Sequence, residues 1–403
     1  MAFAGVVSIA AGVVGCAGSP RRIRASSEST AIESGQDDSR SSKRSVEIFT
    51  LDDGAREFAS GDYPAALVQF SSVLRRVELS VTDRVQAFRG VAETHEKLGD
   101  FASASASWSR LAKFAGAVEE PSALQYRREA WMRAAACQAE LEAWEESAAL
   151  YLRAAEIGGG RLAERIEAEV RRAYAYYQLD VLDTAEQILV DAEPMLQRAQ
   201  QEERLSEYFF VGMARFYRAA VIHRRFREVP IRLPEARMAD DFEKKLALLI
   251  AAQEAYNDTI RAKHVYWVSA AGLQLGSLFE EFYDALMNAP VPEWLSEAQR
   301  REYYEALKLQ LRPVVNKAIW VFEKNLQTAT RLGYDNHFVE ETEGKLARLQ
   351  GVLLSGDTAI GEPTARLSSP AGDRAAIEPA SPWGRSRTDT ADTSRFIPTQ
   401  TPL

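Results

Sequence analysis

Two stretches of the chain, "GDYPAALVQF" (residues 61–70) and "GDFASASASW" (residues 99–108), share one layout and begin 38 residues apart. Each starts with Gly-Asp and an aromatic residue, and each has a second aromatic residue four positions after an alanine. The shared positions are Gly61, Tyr63, Ala66 and Phe70 in the first stretch and Gly99, Phe101, Ala104 and Trp108 in the second. This layout predicts a turn followed by a helix, repeated along the chain.

Two further stretches, residues 141–155 and 179–193, repeat the layout less closely. The matching positions are Trp144, Ser147, Tyr151 and Ala154 in the first and Leu182, Ala185, Leu189 and Ala192 in the second. A small residue also stands seven positions before each of the four turns, at Gly54, Ala92, Ala135 and Ala173. Small residues allow two helices to approach closely, so a helix is expected before each turn as well as after it.

This arrangement resembles the tetratricopeptide repeat, a helix–turn–helix unit of about 34 residues. The resemblance implies an all-α fold, a right-handed α-solenoid of stacked helix pairs. The chain departs from the family pattern in its spacing of 38 residues or more and in the missing aromatic residues of the fourth copy. The usual proline at the end of each repeat is also missing.

Composition divides the chain into five segments. We expect a lipoprotein signal peptide (1–15), a flexible tether (16–46), tetratricopeptide repeats (47–200), divergent helical repeats with a capping helix (201–354) and a disordered tail (355–403). Within the divergent segment we expect one long helix or two nearly continuous helices after residue 237, a break at Pro313 and a last helix over residues 336–354. Scattered positions in residues 205–350 resemble envelope tetratricopeptide proteins of gliding bacteria, which implies a role in an envelope-spanning assembly.

Charge and composition narrow the functional classes. The 403-residue chain is 46% hydrophobic and 27% charged, with a formal net charge of −9. An acidic chain of this kind disfavours nucleic acid as a partner. The basic run at residues 223–227 is interpreted as a solvated helix end, with a site for an acidic partner or a glycan as the alternative. The acidic pairs at residues 145–146 and 240–241 are interpreted as solvated helix faces or helix starts.

No pattern in the sequence indicates catalysis or a cofactor. The four histidines lie in separate segments and form no zinc-binding spacing, and the glycine run at residues 158–160 lacks the other parts of a phosphate-binding loop. Cys137 lies on a small-residue face of a helix, where a buried free thiol is expected. We therefore predict that the protein is not an enzyme and needs no cofactor or metal.

Helical solenoids offer a concave surface lined by the first helix of each pair, and this surface is the predicted binding groove. The inward positions are Arg89, Glu93 and Glu96 in the second repeat and Val170, Tyr174 and Tyr177 in the fourth. Mixed charge with tyrosine would suit a peptide or a helix of a protein partner. The alternative, that Tyr174 and Tyr177 pack against the next repeat, is equally consistent with the sequence.

The N-terminal stretch "VVSIAAGVVGCAGSP" (residues 6–20) is apolar but too short to span a membrane. Residues 13–16, Val-Val-Gly-Cys, resemble the bacterial lipobox, which implies acylation of Cys16 and attachment of the mature protein to a membrane. Ala17 follows the cysteine where an aspartate would retain the protein in the inner membrane, so the resemblance favours the outer membrane, facing the periplasm. No Lys or Arg precedes the apolar run, and we expect the true start to lie upstream of Met1.

The leading hypothesis is therefore a lipid-anchored periplasmic scaffold for protein partners of the envelope. A binder of envelope polymers, such as peptidoglycan or secreted polysaccharide, is the second hypothesis. The third is a cytoplasmic assembly factor, which would follow if the lipobox resemblance is accidental.

Overall fold

Helices joined by short turns account for the fold. The computed structural model describes residues 49–202 and 208–355, and within these ranges the chain forms thirteen helices and no strand. They are α1 (Leu51–Ser60), α2 (Tyr63–Leu74), α3 (Val81–Lys97), α4 (Phe101–Gly116), α5 (Pro121–Glu140), α6 (Trp144–Ala155), α7 (Leu162–Gln178), α8 (Leu182–Glu202), α9 (Phe209–Glu228), α10 (Glu235–Arg261), α11 (Val265–Met287), α12 (Glu297–Leu332) and α13 (His337–Ser355). The predicted leader, the tether with Cys16 and the tail after residue 355 lie outside the described residues.

The first four helix pairs turn at equivalent positions. Gly61, Gly99, Glu142 and Asp180 all have a left-handed backbone, with φ of 86°, 74°, 57° and 62°. A left-handed residue lets the chain reverse direction after the first helix, and glycine adopts this conformation without a steric penalty. The four turns inferred from the sequence are confirmed, and two of them contain a residue that is strained there.

The aspartate that follows each glycine turn begins the next helix. The Asp62 carboxylate accepts a hydrogen bond from the backbone N–H of Ala65 at 3.0 Å, and Asp100 accepts one from Ser103 at 3.0 Å. These N-caps satisfy backbone donors that the first turn of a helix leaves unpaired. Tyr63 and Phe101, the first residues of α2 and α4, are half-buried at the same junctions.

The alanine and aromatic positions of the repeat pattern form the contacts between helices. Ala66, Ala104 and Trp108 have no exposed surface, and Phe70 is 6% exposed. The Phe70 ring lies between Gly54 of α1 and Gly90 of α3, where a Cβ on either glycine would come within 2.7 Å of the ring. Small residues are required at these crossings because the aromatic ring occupies the space that a side chain would need.

The same pairing continues through the divergent segment. Helices α10 and α11 are the two nearly continuous helices that the sequence allowed, separated by three residues that include Lys263 with φ of 61°. The Ala318–Phe322 spacing of α12 repeats the alanine–aromatic pattern, and both side chains are fully buried. The predicted last helix is present as α13.

The predicted break at Pro313 is wrong. Helix α12 runs through this proline without interruption for 36 residues. Because proline has no N–H, the carbonyl of Leu309 loses its partner in the helix. Pro313 and Leu309 are both exposed, so water can form a hydrogen bond to that carbonyl. The proline therefore does not need to end the helix.

Each helix packs on its neighbours in the sequence, and the odd-numbered helices also contact one another. The contacts α1–α3, α7–α9, α9–α11 and α11–α13, together with ion pairs that join α5 to α3 and to α7, place the odd helices along one side of the stack, which we call the odd-helix face. One hydrophobic core extends from Ile166 to Leu349, so the helices on either side of residue 200 share buried contacts. The all-α stack of helix pairs predicted from the repeats is confirmed.

Candidate partner-binding face

Arg89 and Glu93, two of the predicted groove residues, lie together on α3 and join a cluster that includes α5. Arg89 Nε donates to Glu93 Oε1 at 3.1 Å, and the Arg89 guanidinium also pairs with Glu129 of α5. The side chains of Arg89, Glu93 and Glu129 remain 36%, 33% and 28% exposed. This part of the odd-helix face is therefore an organised ionic surface that a partner can reach.

Glu96, the third predicted groove residue on α3, is held more deeply. Its Oε1 atom accepts hydrogen bonds from Trp108 Nε1 at 2.6 Å and Arg133 Nε at 3.2 Å, and the Cys137 thiol lies 3.5 Å from the same oxygen. The Arg133 guanidinium also lies over the Trp108 ring, 5.1 Å from its centroid. Glu96 thus fixes α3, α4 and α5 relative to one another and supports the more exposed pair beside it.

We refer to Arg89, Glu93, Glu96, Glu129 and Arg133 as the inter-helix cluster. Burial raises the pKa of Glu129, against the opposing effect of the Arg89 charge. Burial alone would lower the pKa of Arg133, but the Glu96 carboxylate raises it above the ordinary value. With three carboxylates and two guanidiniums the fully ionised cluster has one excess negative charge.

Cys137 is a buried free thiol, as the sequence predicted. Burial and then the neighbouring Glu96 carboxylate raise its pKa well above the ordinary value of a thiol. A thiol nucleophile requires the thiolate form, so this side chain contributes packing and a weak hydrogen bond.

The second half of the predicted groove is closed. Val170, Tyr174 and Tyr177 of α7 are at most 4% exposed and cannot contact a ligand. The rings of Tyr174 and Tyr177 pack on Tyr217 of α9, with centroid distances of 4.9 and 5.2 Å. The prediction that these three residues line a groove is wrong, because α9 covers α7, and the alternative of packing against the next repeat is correct.

The glycine run is an ordered loop between α6 and α7. Arg128 of α5, which is 5% exposed, donates to the carbonyls of Ile157 at 2.9 Å and Gly158 at 3.1 Å, and its guanidinium also pairs with Glu164 of α7. One buried side chain thus connects α5, the loop and α7. The sequence did not reveal this role, because it depends on contacts across about 30 residues.

A second polar cluster connects α9 to α10 and α11. His223 accepts or donates at both ring nitrogens, with Nδ1 3.1 Å from the Tyr256 hydroxyl and Nε2 3.1 Å from Glu281 Oε2. Arg227 donates twice to the same carboxylate, at 2.7 and 2.6 Å. Lys245 donates to two backbone carbonyls at the end of α9, at 2.7 and 2.9 Å.

The basic run at residues 223–227 is therefore not a solvated helix end. His223 and Phe226 are buried, and Arg227 is paired across to α11. The acidic pair at 240–241 also differs from the expectation, because Asp241 is buried and receives two hydrogen bonds from Arg232. At both places the charged residue was misinterpreted because its partner lies on another element.

An apolar pocket of about 320 Å³ lies where the start of α10, the end of α11 and the start of α12 meet. Within the described ranges, no group of three or more His, Cys, Asp and Glu side chains is placed to hold a metal ion. None of the helices seen in residues 49–202 and 208–355 combines the length and apolar character needed to cross a bilayer.

Comparison with known proteins adds little. No protein-family model matches the chain, and no curated protein matches it. Among solved structures, BtubC (BKLC) from P. vanneervenii is 15% identical over 67% of this chain and 97% of its own, with a TM-score of 0.31. A computationally designed self-assembling cyclic homooligomer is 13% identical over 75% of this chain and 96% of its own, and a circular tandem repeat protein is 11% identical over 75% of each chain, both with TM-scores of 0.20. These TM-scores are too low to inform the function.

Proposed function

We propose that the protein is a lipid-anchored scaffold of tetratricopeptide-type helix pairs that holds a protein partner at the periplasmic side of the outer membrane. The observation that carries the proposal is the inter-helix cluster, an ionic surface shared by α3 and α5 on the odd-helix face. In helical solenoids the first helices of successive pairs line the surface that binds extended partners.

The chemistry of the inter-helix cluster favours a basic segment of the partner. Glu93 and Glu129 both pair with Arg89, so the exposed part of the cluster has two carboxylates for one guanidinium. A Lys or Arg from the partner can bind between these carboxylates at little cost in ordering, because the protein side chains are already held in place. Such a contact is electrostatic, and we expect binding to weaken as the salt concentration rises.

The polysaccharide alternative loses its main support. The hypothesis of polysaccharide binding rested on a groove lined with tyrosine, but Tyr174 and Tyr177 are buried beneath α9. A sugar-binding surface usually needs exposed aromatic rings, and α7 offers none at these positions. A role in gliding-type envelope machinery stays an analogy from the sequence.

The binding test uses the full chain and envelope extracts. We expect the double variant Glu93→Gln/Glu129→Gln to bind the captured partner on the order of tenfold more weakly, because it changes the cluster from one excess negative charge to one excess positive charge. The matched control is Glu243→Gln/Glu254→Gln, which changes two exposed glutamates of α10 that form no ion pair with a described residue. Equal loss of binding in both variants, or no specific partner for the wild type, would count against the proposal.

The anchor rests on Cys16 alone and has its own test. We expect the wild type to incorporate labelled palmitate and to fractionate with the outer membrane, and Cys16→Ser to do neither. Cys137→Ser is the control, since the buried thiol should not affect labelling. Unlabelled wild-type protein in the cytoplasmic fraction would favour the cytoplasmic assembly factor instead.

A further inference from the structure

The apolar pocket between α10, α11 and α12 is separate from the inter-helix cluster. It is lined mainly by side chains of these three helices, among them Met238, Phe242, Leu286, Tyr303 and Leu307. All five are partly exposed, so the pocket is open to solvent.

One charged residue, Glu235, lies at the wall of this pocket. It is exposed and forms no ion pair with any residue in the described part of the chain. An apolar cavity with one unpaired carboxylate suits an aromatic side chain followed by a cation.

The chain leaves the described fold near this pocket. Helix α13 crosses α11 through Lys345, which lies 3.1 Å from Glu280, and Arg348, which lies 3.5 Å from Asp284. Asp284 is two residues before Leu286, which lines the pocket. Helix α13 therefore runs toward the pocket end of α11, and its remaining seven residues to Ser355 extend about 10 Å further.

A segment with the matching chemistry follows in the sequence. "SPWGRSR" (residues 381–387), outside the described residues, has Trp383 followed by Arg385 and Arg387. The other aromatic residue of the tail, Phe396, has a single arginine beside it and an aspartate at 392.

We propose that the segment 381–387 of the chain docks in this pocket, with Trp383 between the apolar side chains and an arginine beside Glu235. The occupant is thus the chain's own tail, and the docked tail covers a surface that would otherwise be available to a partner. This inference is independent of the lipid anchor and of the inter-helix cluster.

The length of the connecting segment fits the proposal. Trp383 follows Ser355 by 28 residues, and a flexible chain of this length has a root-mean-square span of about 30 Å. Helix α13 packs on α11, and α11 lines the pocket with Leu286, so the distance to be spanned is about one to two helix spacings, or ~10–20 Å. A linker whose span matches the distance gives an effective concentration on the order of millimolar.

Photo-crosslinking in the full chain tests the contact directly. A photoreactive residue in place of Leu307 should crosslink within one molecule to the peptide that contains Trp383. Trp383→Ala should abolish this product, whereas Phe396→Ala should not. A probe in place of Val68, which is 56% exposed on α2, should give no such product.

A labelled peptide of residues 379–389 tests the competition. We expect it to bind the Trp383→Ala chain on the order of tenfold more tightly than the wild type, because the tethered segment no longer competes. Glu235→Gln in the Trp383→Ala background should weaken this binding a few-fold at low salt. Matching urea unfolding curves of the variants would show that the fold is intact.

Several results would overturn the proposal. Crosslinks from position 307 to another part of the chain, or to a second copy in proportion to protein concentration, would assign the pocket a different occupant. Equal peptide affinity for the wild type and Trp383→Ala, or no peptide binding to either, would show that the tail does not compete for the pocket.

Discussion

The buried cluster around His223 should make the stability of the fold depend on pH. The cluster joins α9 to α10 and α11, and α9 in turn covers Tyr174 and Tyr177. Burial lowers the pKa of His223, and Glu281 opposes this effect only in part because Arg227 already neutralises that carboxylate. Burial therefore favours the neutral form of His223 in the folded protein.

The linkage between proton binding and folding gives the sign and the size of this pH effect on the free energy of unfolding. Below the ordinary imidazole pKa of about 6.5 the unfolded chain takes up a proton that folded His223 does not. Stability is therefore lost as the pH falls, by up to about 2 kcal/mol between pH 7.5 and pH 5 for one histidine. Glu281, whose folded pKa lies well below its ordinary value of 4.5, contributes stability that is lost only at lower pH and does not obscure this window.

The variant His223→Gln tests this effect. The free energy of unfolding of the full chain is measured with urea at several pH values between 5 and 7.5. Glutamine can keep one hydrogen bond to Glu281 and one to Tyr256 but cannot become charged. We expect the pH-dependent loss of unfolding free energy to be smaller in the variant, by up to about 2 kcal/mol. His337→Gln is the comparison: burial also lowers the pKa of His337, but this residue is only partly buried on α13, so the variant should remove a smaller part of the pH dependence.

Parallel stability curves for the wild type and His223→Gln would refute this reasoning. They would mean that His223 becomes protonated at a similar pH in the folded and unfolded states. A further arm, Glu281→Gln at pH 7.5, should destabilise the protein by about 1–3 kcal/mol because it leaves the half-buried Arg227 charge without its carboxylate partner.

Three further predictions concern the turns, the thiol and the core. Glu142→Gly should raise the free energy of unfolding by about 0.5–1 kcal/mol because it removes left-handed strain, whereas Gly99→Ala should lower it by about 1 kcal/mol. If thermal or urea unfolding showed changes of the same sign for both variants, the two turns would not be equivalent. In a Cys16→Ser chain, Cys137 should react with a thiol reagent only after urea unfolding, and rapid labelling of the native protein would contradict its burial. Phe322→Ala should cost about 3–5 kcal/mol in urea unfolding, and a cost below 1 kcal/mol would show that this helix crossing is not packed as described.

The fold could be predicted where a short sequence pattern by itself determines the local backbone geometry. Gly-Asp at residues 61–62 and 99–100 specifies a left-handed turn and an N-cap, and the alanine–aromatic spacing specifies which face of the next helix is buried. The weaker copies at Glu142 and Asp180 were found by alignment alone, and their positive φ values confirm them.

The candidate partner-binding face could be predicted only in part. Arg89 and Glu93 were identified because a helix position fixes the direction of a side chain, but Glu129 and Arg133 were missed because their role depends on a neighbouring helix. Tyr174 and Tyr177 were placed in a groove because the segment that covers them, α9, has no repeat signature.

The proposed function depends on the binding of a protein partner by the inter-helix cluster on the odd-helix face. The most direct measurement is in-cell photo-crosslinking from Gln86, an exposed residue of α3 that lies two helical turns before Glu93 on the same side of the helix. The matched control is a probe in place of Gln187, an exposed glutamine of the even-numbered helix α8. We expect one specific partner from position 86, absent from position 187 and reduced by Glu93→Gln/Glu129→Gln, whereas identical products from both positions, or none from position 86, would contradict the claim.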